Sequence, residues 1–514
     1  MGRVTIFSLN ECPHCKRTKA ALTARGIPYT EISLSDYPQK RSDMLALADR
    51  LTVPQVFFND EHIGGADDTL AVLEQWDKEA KYATALERYE KEIASVENAP
   101  SDVRLEVPTT PPVQAKPEPP RSEDDLILLP NGEEKSILEV TQLLVKGMPR
   151  SNLSYRLKVY MNVFTGEEGV DALMKMFQLQ SREEAIIFGQ LFQKRKLLNH
   201  VADDHKFQDT SSFYYRLQAF QEPKVLNTYR IWTDRVDPDS MALLARLKKL
   251  MGKIESDCTD DEGYLDYVAA KEHPKYDIFE EAACELQGVN FKDMAEDEKL
   301  AFGINLYNLV IKHAFMKVGI PSGVFGRASF FTSVGYNIGG DFLSFSDLEN
   351  GVLRGNKKAP GKLSQPFSSS DRRSNLALSN VDARIHFALN CGAKSCPPVK
   401  KFTSQAINEE LRIVAQAFCE QDDNVGIDEA NSVLSLSKIL SWYRSDFATS
   451  TSELPGIIVT FLRGEKRKKL QRMIDDSGKA IKVTFNDYDW GTNASKSEGF
   501  SKEKLVLEKF GLAL

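Results

Sequence analysis

The chain has 514 residues, 42% of them hydrophobic, and a formal net charge of −8 at pH 7. This length predicts about three domains with ordinary hydrophobic cores. The net negative charge argues against general nucleic-acid binding. Seven cysteines in 514 residues are too few for a disulfide framework, and this number suits a reducing compartment. No apolar run approaches the roughly 18 residues that span a bilayer, and residues 1–3 lead directly into a predicted strand. We therefore expect a cytoplasmic protein without a signal peptide, at most peripheral at membranes.

The first predicted elements are a strand and a helix joined by a Cys-x-x-Cys motif. The apolar run Val4–Phe7 precedes Cys12 and Cys15, and a helical pattern follows over residues 16–24. A Cys pair between a strand and a helix is typical of a thiol–disulfide redox site. The helix N-terminus supplies partial positive charge and free N–H groups, so we expect it to stabilise the Cys12 thiolate. Cys15, one turn along, is positioned to attack a mixed disulfide formed on Cys12.

Two further motifs complete this predicted site. A Thr-Val-Pro sequence at 52–54 precedes a predicted strand. A cis peptide bond before that proline would leave the valine backbone free to pair with an extended peptide. A Gly-Gly pair at 64–65, followed by two aspartates, opens another helix. The glycines allow close backbone approach, and the helix N-terminus suits a carboxylate ligand.

Together these motifs resemble glutaredoxin over about residues 1–80. The resemblance implies an α/β thioredoxin-like fold, with Cys12 as nucleophile, Cys15 as resolving thiol and glutathione as reductant. The residues that it implies for glutathione binding are Thr52, Val53, Pro54, Gly65, Asp67 and Asp68. Glutaredoxins usually carry a Lys shortly before the first Cys; residues 8–11 here are Ser-Leu-Asn-Glu, so one glutathione contact is absent and Glu11 adds a negative charge. The alternative is a thioredoxin-like binding module without activity.

A proline-rich segment separates this domain from the rest of the chain. Residues 73–97 are charged and helical in pattern, and they extend the first predicted domain to residue 98. Residues 100–130 then contain eight of the 22 prolines. This composition predicts a semi-rigid, disordered linker over residues 99–135 and favours a plain spacer over a docking motif.

Residues 136–218 are predicted to form a second domain. Apolar residues between Ile137 and Met148 fit one helix face. Thr165 followed by Glu168 fits a capping box at the start of a second helix. A third helix and a small β-hairpin around His200 follow, which completes the pattern of a small α+β module.

This pattern resembles the DEP domain, a winged-helix-like α+β module of signalling proteins. The matching residues are Phe164, Thr165, Gly166, Glu184, Ala185, Phe188, Gly189, Gln190, His200, Val201, Phe207, Gln208, Asp209, Phe213, Tyr214 and Tyr215. The resemblance implies docking to a protein partner or an anionic membrane surface rather than catalysis. A balance of 11 Lys and Arg against 9 Asp and Glu in residues 136–217 favours a protein partner over lipid and argues against DNA.

Residues 219–514 are predicted to form one large α+β domain. Its longest helical pattern carries polar residues at helical spacing, among them Asn305, which we expect to orient neighbouring groups. Its candidate reactive residues are concentrated in one short segment. Alternating residues there predict a strand whose polar face carries His386, followed by a glycine-bearing loop with Cys391 and Cys396.

This region resembles domain of unknown function 547, a family of plants, protists and bacteria, over about residues 270–495. The motifs that carry the resemblance are Ile304–Asn308, Leu348-Glu349, Leu353-Arg354, Arg384–Leu389, Cys391, Cys396-Pro397, Trp442-Tyr443, Asp446-Phe447 and Tyr488–Trp490. The family name carries no activity, so any function has to be argued from the residues.

Four interpretations of the His and Cys residues stay open. Cys391 or Cys396 is a nucleophile activated by His386, with Glu349 or Asp489 orienting the imidazole, as in a cysteine hydrolase or acyl-transfer enzyme. Alternatively the same His and Cys residues bind a metal, although no fourth ligand is evident and no metal site is predicted. The two cysteines form a disulfide that the N-terminal domain reduces, or they pack as small hydrophobes beside a core histidine.

The sequence thus predicts a multidomain thiol–disulfide oxidoreductase. Glutathione is its reductant and protein disulfides are its substrates, while the DEP domain supplies docking and the third domain an unknown chemistry. The alternative function is a redox-sensing signalling scaffold that binds glutathione without turnover.

Overall fold

The computed structural model describes residues 2–10, 12–79, 81–97, 100–109, 126–130, 132–233, 236–476 and 478–510. The predicted effect of Glu11 and the centre of the proline-rich linker lie outside the described residues. The strands are β1 (Val4–Ser8), β2 (Tyr29–Ser33), β3 (Gln55–Phe58), β4 (Glu61–Gly64), β5 (Leu126–Leu128), β6 (Glu134–Ser136), β7 (Ser151–Tyr155), β8 (Lys158–Thr165), β9 (Leu198–His200), β10 (Tyr214–Leu217), β11 (Leu265–Asp266), β12 (Gly335–Ile338), β13 (Asp341–Ser344), β14 (Val425–Asp428), β15 (Val433–Leu436), β16 (Lys482–Phe485), β17 (Ala494–Lys496) and β18 (Glu508–Phe510). The α-helices are α1 (Pro13–Ala24), α2 (Lys40–Ala48), α3 (Ala66–Lys78), α4 (Ala85–Arg88), α5 (Ile137–Gly147), α6 (Gly166–Phe177), α7 (Arg182–Lys194), α8 (Ser240–Cys258), α9 (Tyr267–Lys271), α10 (Tyr276–Ala283), α11 (Glu296–Val318), α12 (Gly323–Ser333), α13 (Ile407–Glu420), α14 (Lys438–Trp442), α15 (Arg444–Phe447), α16 (Leu454–Ile458) and α17 (Gly464–Asp475).

The chain forms two compact units, each built from three stretches of sequence. Unit 1 contains Met1–Glu118, Ala383–Ala388 and Lys400–Asp487. Unit 2 contains Pro119–Asp382, Leu389–Val399 and Tyr488–Leu514. The residues predicted to form the third domain are therefore divided between the units. The domain boundaries drawn from the sequence stay predictions.

A four-stranded sheet in the order β2-β1-β3-β4 forms the N-terminal part of unit 1. β2 runs parallel to β1, whereas β1 and β3, and β3 and β4, are antiparallel pairs. Alternate residues of a strand face opposite sides of the sheet. Val4 and Ile6 accordingly pack with Leu22 of α1 and Leu73 of α3, while Phe7 packs on the α2 side. This arrangement confirms the predicted α/β thioredoxin-like fold.

Helix α2 also packs against α13 of the same unit. Leu45 of α2 and Ile413 of α13 belong to one apolar cluster. Arg41 donates a hydrogen bond from Nε to Glu410 at 2.6 Å. The Glu410 side chain is fully buried and also accepts a 2.6 Å bond from the Thr403 N–H. A buried ion pair with a second hydrogen-bond donor therefore joins the two helices.

We predict that Glu410→Ala loosens the contact between α2 and α13. The Arg41 side chain is only 12% exposed, and removing one partner of a buried ion pair costs about 3–5 kcal/mol. Hydrogen exchange of the α2 amides in the full chain is expected to accelerate accordingly. Glu409→Ala is the matched control on the same helix. Glu409 is more exposed than Glu410 and pairs with Arg412, so its loss should lower the free energy of unfolding by less than about 1 kcal/mol. Equal exchange in the two variants would contradict the prediction.

Parts of the predicted linker are ordered. Val103–Leu105 forms a 3-10 turn, and Leu105 is buried in the cluster that contains Phe7. The Leu105 carbonyl accepts a 3.1 Å hydrogen bond from Arg3. At the other end of the segment, β5 and β6 pair with each other. The prediction of disorder is wrong for these residues, because apolar side chains at both ends of the segment join a core.

The first part of unit 2 has the predicted DEP architecture. Helices α5, α6 and α7 and strands β8, β9 and β10 surround a core that includes Val140 and Leu173. Thr165 and Glu168 form the predicted capping box at the start of α6. Strands β9 and β10 are antiparallel neighbours, which confirms the predicted hairpin.

Helix α11 is the central element of the rest of unit 2. Most of its residues are buried, and it packs against α8 and α9. The hairpin β12–β13 and a parallel pair, β11 and β17, lie in the same region. Among the described residues, no helix combines the length and the apolar character needed to cross a membrane.

The segment around His386, predicted as a strand, is instead a 3-10 helix over Ala383–Phe387. Ile385 and Phe387 are fully buried, and the Phe387 ring lies 4.8 Å from that of Phe418 in α13. A short alternation of apolar and polar residues does not distinguish a strand from a helical turn. Here the packing against α13 favours the turn, so the prediction of a strand is wrong.

Candidate functional site

Cys12 is the N-cap residue of α1. Its Sγ accepts a hydrogen bond from the Cys15 N–H at 3.2 Å, and Pro13 occupies the first helical position, where no N–H is needed. The Cys12 thiol is partly exposed, whereas Cys15 is buried. The front sulfur therefore lies where the unpaired N–H groups of a helix start converge.

Burial of Cys15 changes the acidity of its thiol. Burial, reinforced by the hydrogen bond with Cys12, raises the pKa of the Cys15 thiol to about 12. Cys15 therefore keeps its proton at neutral pH while the thiols are free. The order in which the front sulfur attacks first and the buried sulfur resolves the product stays a prediction.

The Thr-Val-Pro segment lies beside the front sulfur. The Val53–Pro54 peptide bond is cis, as predicted, and Cys12 Sγ is 3.7 Å from the Val53 carbonyl oxygen. The Thr52 carbonyl accepts a 2.9 Å hydrogen bond from the Gln55 side chain. A backbone edge is thus held next to the thiol.

The start of α3 contributes two carboxylates. Gly65 is the N-cap residue, and its N–H donates to Asp68 Oδ2 at 2.9 Å. That bond and a 2.7 Å bond from Arg50 lower the pKa of the Asp68 carboxyl. The Asp67 side chain is 89% exposed and pairs with Arg17 of α1. Fixed negative charge and backbone N–H groups therefore lie together at this helix start.

Three family profiles match the chain in the predicted order. They are Glutaredoxin, at residues 4–63; Domain found in Dishevelled, Egl-10, and Pleckstrin (DEP), at 147–217; and Protein of unknown function, DUF547, at 291–419. Glutaredoxin 3 of Escherichia coli (strain K12) is 39% identical over 72 residues, which are 14% of this chain and 87% of that protein. The chain belongs to the glutaredoxin family.

Other glutaredoxins match the same region. The glutaredoxin of Pseudomonas aeruginosa is 35% identical over 72 residues, which are 14% of this chain and 86% of that protein. A solution structure of glutaredoxin from Brucella melitensis is 36% identical and covers 15% of this chain and 85% of that chain, with a TM-score of 0.14. The family matches and the curated relatives together describe a glutaredoxin region fused to a DEP domain and to a DUF547 region.

Cys391 and Cys396 contact each other in unit 2. Their Sγ atoms are 3.1 Å apart, and the Cys391 N–H donates to Cys396 Sγ at 3.1 Å. The Tyr488 hydroxyl lies 3.1 Å from Cys396 Sγ and 3.6 Å from Cys391 Sγ. The hydrogen bond with Cys391, helped by Tyr488, lowers the pKa of Cys396 to about 7 against the effect of burial, while the pKa of Cys391 is raised. Tyr488 belongs to a motif that the sequence analysis singled out, but only the adjacent Asp489 was predicted as a site residue.

His386 lies in unit 1 with its own set of partners. Its Nε2 is 2.8 Å from Asp446 Oδ2, and both side chains are almost completely buried. Its ring stacks on Tyr443 with the ring centres 3.8 Å apart. Asp446, which sequence reasoning did not propose as the partner, is the carboxylate at Nε2. Activation of Cys391 or Cys396 by His386 stays a prediction.

The other residues predicted for the C-terminal site have partners within unit 2. Glu349 accepts a 3.2 Å hydrogen bond from the Tyr307 hydroxyl. Asp489 accepts a 2.7 Å bond from the backbone N–H two residues further on. Asn305 accepts a 2.9 Å bond from Lys248, and its expected orienting role stays a prediction. The described part of the chain contains no group of three or more His, Cys, Asp or Glu that could hold a metal ion.

Proposed function

We propose that this protein is a glutathione-dependent thiol–disulfide oxidoreductase with Cys12 as its nucleophile. The observation that carries the proposal is the position of Cys12 Sγ at the start of α1, 3.7 Å from the Val53 carbonyl. The Cys12 thiolate attacks a disulfide, forms a mixed disulfide and releases one thiol. Cys15 or a glutathione thiolate then attacks the mixed disulfide and releases the second thiol.

The surroundings of Cys12 suit glutathione, a tripeptide with one thiol, one ammonium and two carboxylates. Its backbone is complementary to the Val53 backbone, one carboxylate to the N-terminus of α3, and its ammonium to Asp67 and Asp68. The sequence that precedes Cys12 contains no lysine that could contact glutathione. Ser8, in this segment, hydrogen-bonds Glu31. We therefore expect weaker glutathione binding than in glutaredoxins that carry this lysine.

The proposal is tested by the reduction of the mixed disulfide of glutathione and 2-mercaptoethanol. The full chain is supplied with glutathione, and product formation is coupled to NADPH oxidation by glutathione reductase. We expect turnover that requires both the chain and glutathione. If glutathione binds but no turnover occurs, the protein is a redox-sensing scaffold and the enzymatic proposal fails.

Asp67→Asn is expected to raise the KM for glutathione about tenfold with little change in kcat, because a charge-assisted hydrogen bond to the ammonium is lost. Asp67 is 89% exposed, so its substitution should leave the fold intact. Asp77→Asn is the matched control, since Asp77 pairs with Arg25 near the other end of α3. The same KM in both variants would contradict a role of Asp67 in glutathione binding.

We further propose that the DEP region docks the enzyme to a protein partner or an anionic membrane surface. At the turn between β7 and β8, Tyr155 and Leu157 are 53% and 66% exposed. Arg156 and Lys158 alternate with them along the chain. Exposed apolar side chains interspersed with cations are typical of such docking surfaces.

A further inference from the structure

The loop of residues 390–397, here called the dithiol loop, holds Cys391 and Cys396 side by side. The Asn390 N–H donates to Asn308 Oδ1 of α11 at 2.8 Å. The Asn390 side-chain amide donates to the carbonyl at the far end of the loop at 2.8 Å. The two ends of the loop are therefore tied to each other and to the central helix of unit 2.

Contacts between residues of the loop and their neighbours further restrict the conformation of the loop. Gly392 has a φ of +86°, and a Cβ there would lie 2.3 Å from the Phe315 ring. The Ser395 Oγ accepts a 2.9 Å hydrogen bond from the Asp489 N–H. A positive φ combined with a close approach requires glycine at this position. The closeness of the two sulfurs is thus built into the loop and does not depend on flexible side chains alone.

A cavity is lined by one of the two cysteines. It has a volume of about 270 Å³, and its walls include Cys396, Lys394, Tyr267 and Asn493. Cys391 does not line it. The walls also include Glu255, which accepts a 2.6 Å hydrogen bond from Lys312. Because the ammonium groups of Lys394 and Lys312 outnumber this one carboxylate, the cavity suits a small ligand that carries carboxylates. Such a ligand meets Cys396 first.

We propose that Cys391 and Cys396 form a second redox-active dithiol, which reacts through Cys396 with a small disulfide of the glutathione class and closes to an intramolecular disulfide. The Cys396 thiolate attacks one sulfur of the disulfide, a mixed disulfide forms, and the leaving thiolate takes up a proton. Cys391 loses its proton to solvent and attacks Cys396 Sγ, which releases the second thiolate. Two electrons pass from the cysteines to the small disulfide, and two thiols are formed; excess thiol reverses the reaction.

The geometry and the acidity of the pair agree with these roles. The sulfurs are 3.1 Å apart and need to approach by roughly 1 Å to reach the bonding distance of ~2.05 Å. The pKa of Cys396 near 7 leaves a substantial thiolate fraction at neutral pH. Burial raises the pKa of the three cysteines outside the two pairs: Cys258, Cys284 and Cys419. Cys396 is therefore set apart from the thiols that serve packing.

The experiment uses the full chain with Cys12→Ser and Cys15→Ser, so that the first redox site is silent and a failure here leaves the proposed function untouched. The folded protein is treated with glutathione disulfide, free thiols are blocked with N-ethylmaleimide, and the chain is digested with trypsin without reductant. Lys394 lies between the two cysteines, so trypsin separates residues 385–394 from residues 395–400. We expect these two peptides to be joined by a disulfide, and excess glutathione to separate them before blocking. Two separate peptides, each carrying N-ethylmaleimide, would overturn the proposal.

A second measurement tests the reactivity of Cys396 in the same background. At pH 7, Cys396 is expected to react with iodoacetamide about tenfold faster than the partly exposed Cys258, because more of it is thiolate. Tyr488→Phe removes a hydroxyl that lies 3.1 Å from the sulfur and should shift the pH profile of this reaction upward. Equal rates at Cys396 and Cys258, or a profile that Tyr488→Phe leaves unshifted, would argue against the proposed site.

Discussion

Replacing Cys12 with serine is expected to lower glutathione-dependent reduction of a mixed disulfide by at least about a thousandfold, to the uncatalysed rate. A serine hydroxyl is not ionised near neutral pH, so the attacking anion is lost. The serine oxygen can still accept the Cys15 N–H that Cys12 Sγ now accepts at 3.2 Å. The start of α1 should therefore survive, and the loss should appear in kcat with an unchanged melting temperature. Activity above background would contradict the role of Cys12.

Cys15→Ser is expected to have a different effect. Reduction of a glutathione mixed disulfide needs one thiol on the enzyme, because a second glutathione completes the cycle. This variant should keep that activity within about threefold but lose most of its activity on protein disulfides, where the second thiol resolves a bulky intermediate. Both substrates are measured with the same coupled assay. If both activities were lost in equal measure, Cys15 would have a structural role instead.

The parts of the molecule that the sequence predicted well are those specified by local patterns. The strand, the Cys-x-x-Cys motif and the helix at the N-terminus follow one another within 21 residues from Val4 to Ala24. The capping box of Thr165 and Glu168 is equally local. Each pattern combines hydrophobic periodicity with a helix-start signal, and both signals are readable without knowledge of the rest of the chain.

The features that the sequence did not predict depend on contacts between distant residues. Arg41 and Glu410 are 369 positions apart, and neither carries a local signal of its partner. Tyr488 contacts the two sulfurs from a segment 92 residues beyond Cys396. The turn around His386 was mistaken for a strand because its packing partner, α13, lies outside the periodic pattern. Packing of this kind is determined by tertiary structure and not by propensity.

The second large expected effect concerns a buried charge network in unit 2. Glu280 of α10 accepts hydrogen bonds from His313 and, at 2.6 Å, from Lys317, both on α11. His313 also bonds the Tyr336 hydroxyl at 2.6 Å. Burial alone would raise the pKa of Glu280, but Lys317 and His313 outweigh burial and lower it to about 2. The carboxylate is thus held ionised in the core, where it joins α10 to α11.

Glu280→Gln is expected to reduce the free energy of unfolding of unit 2 by about 3–5 kcal/mol at pH 7, because the Lys317 ammonium, whose side chain is only 17% exposed, loses its counter-charge. Since the pKa of Glu280 falls from 4.5 to about 2 on folding, this carboxylate contributes roughly 3 kcal/mol above pH 4.5 that is lost as the pH falls toward 2. The pKa of His313 is lowered by burial, so its contribution also declines on acidification. Hydrogen exchange of the α11 amides in the full chain, measured at pH 7 and near pH 3, detects this loss of stability.

Asp277→Asn provides a control of opposite sign on the same helix. Burial raises the pKa of the Asp277 carboxyl, so its charge is disfavoured in the folded protein, and its removal should leave stability unchanged or increase it. The two substitutions lie three residues apart and each removes one carboxylate charge. If both destabilised α11 equally, loss of the specific pair with Lys317 would not be the cause. If only Glu280→Gln did so, and if the difference from wild type narrowed on acidification, the buried charge network would be its source.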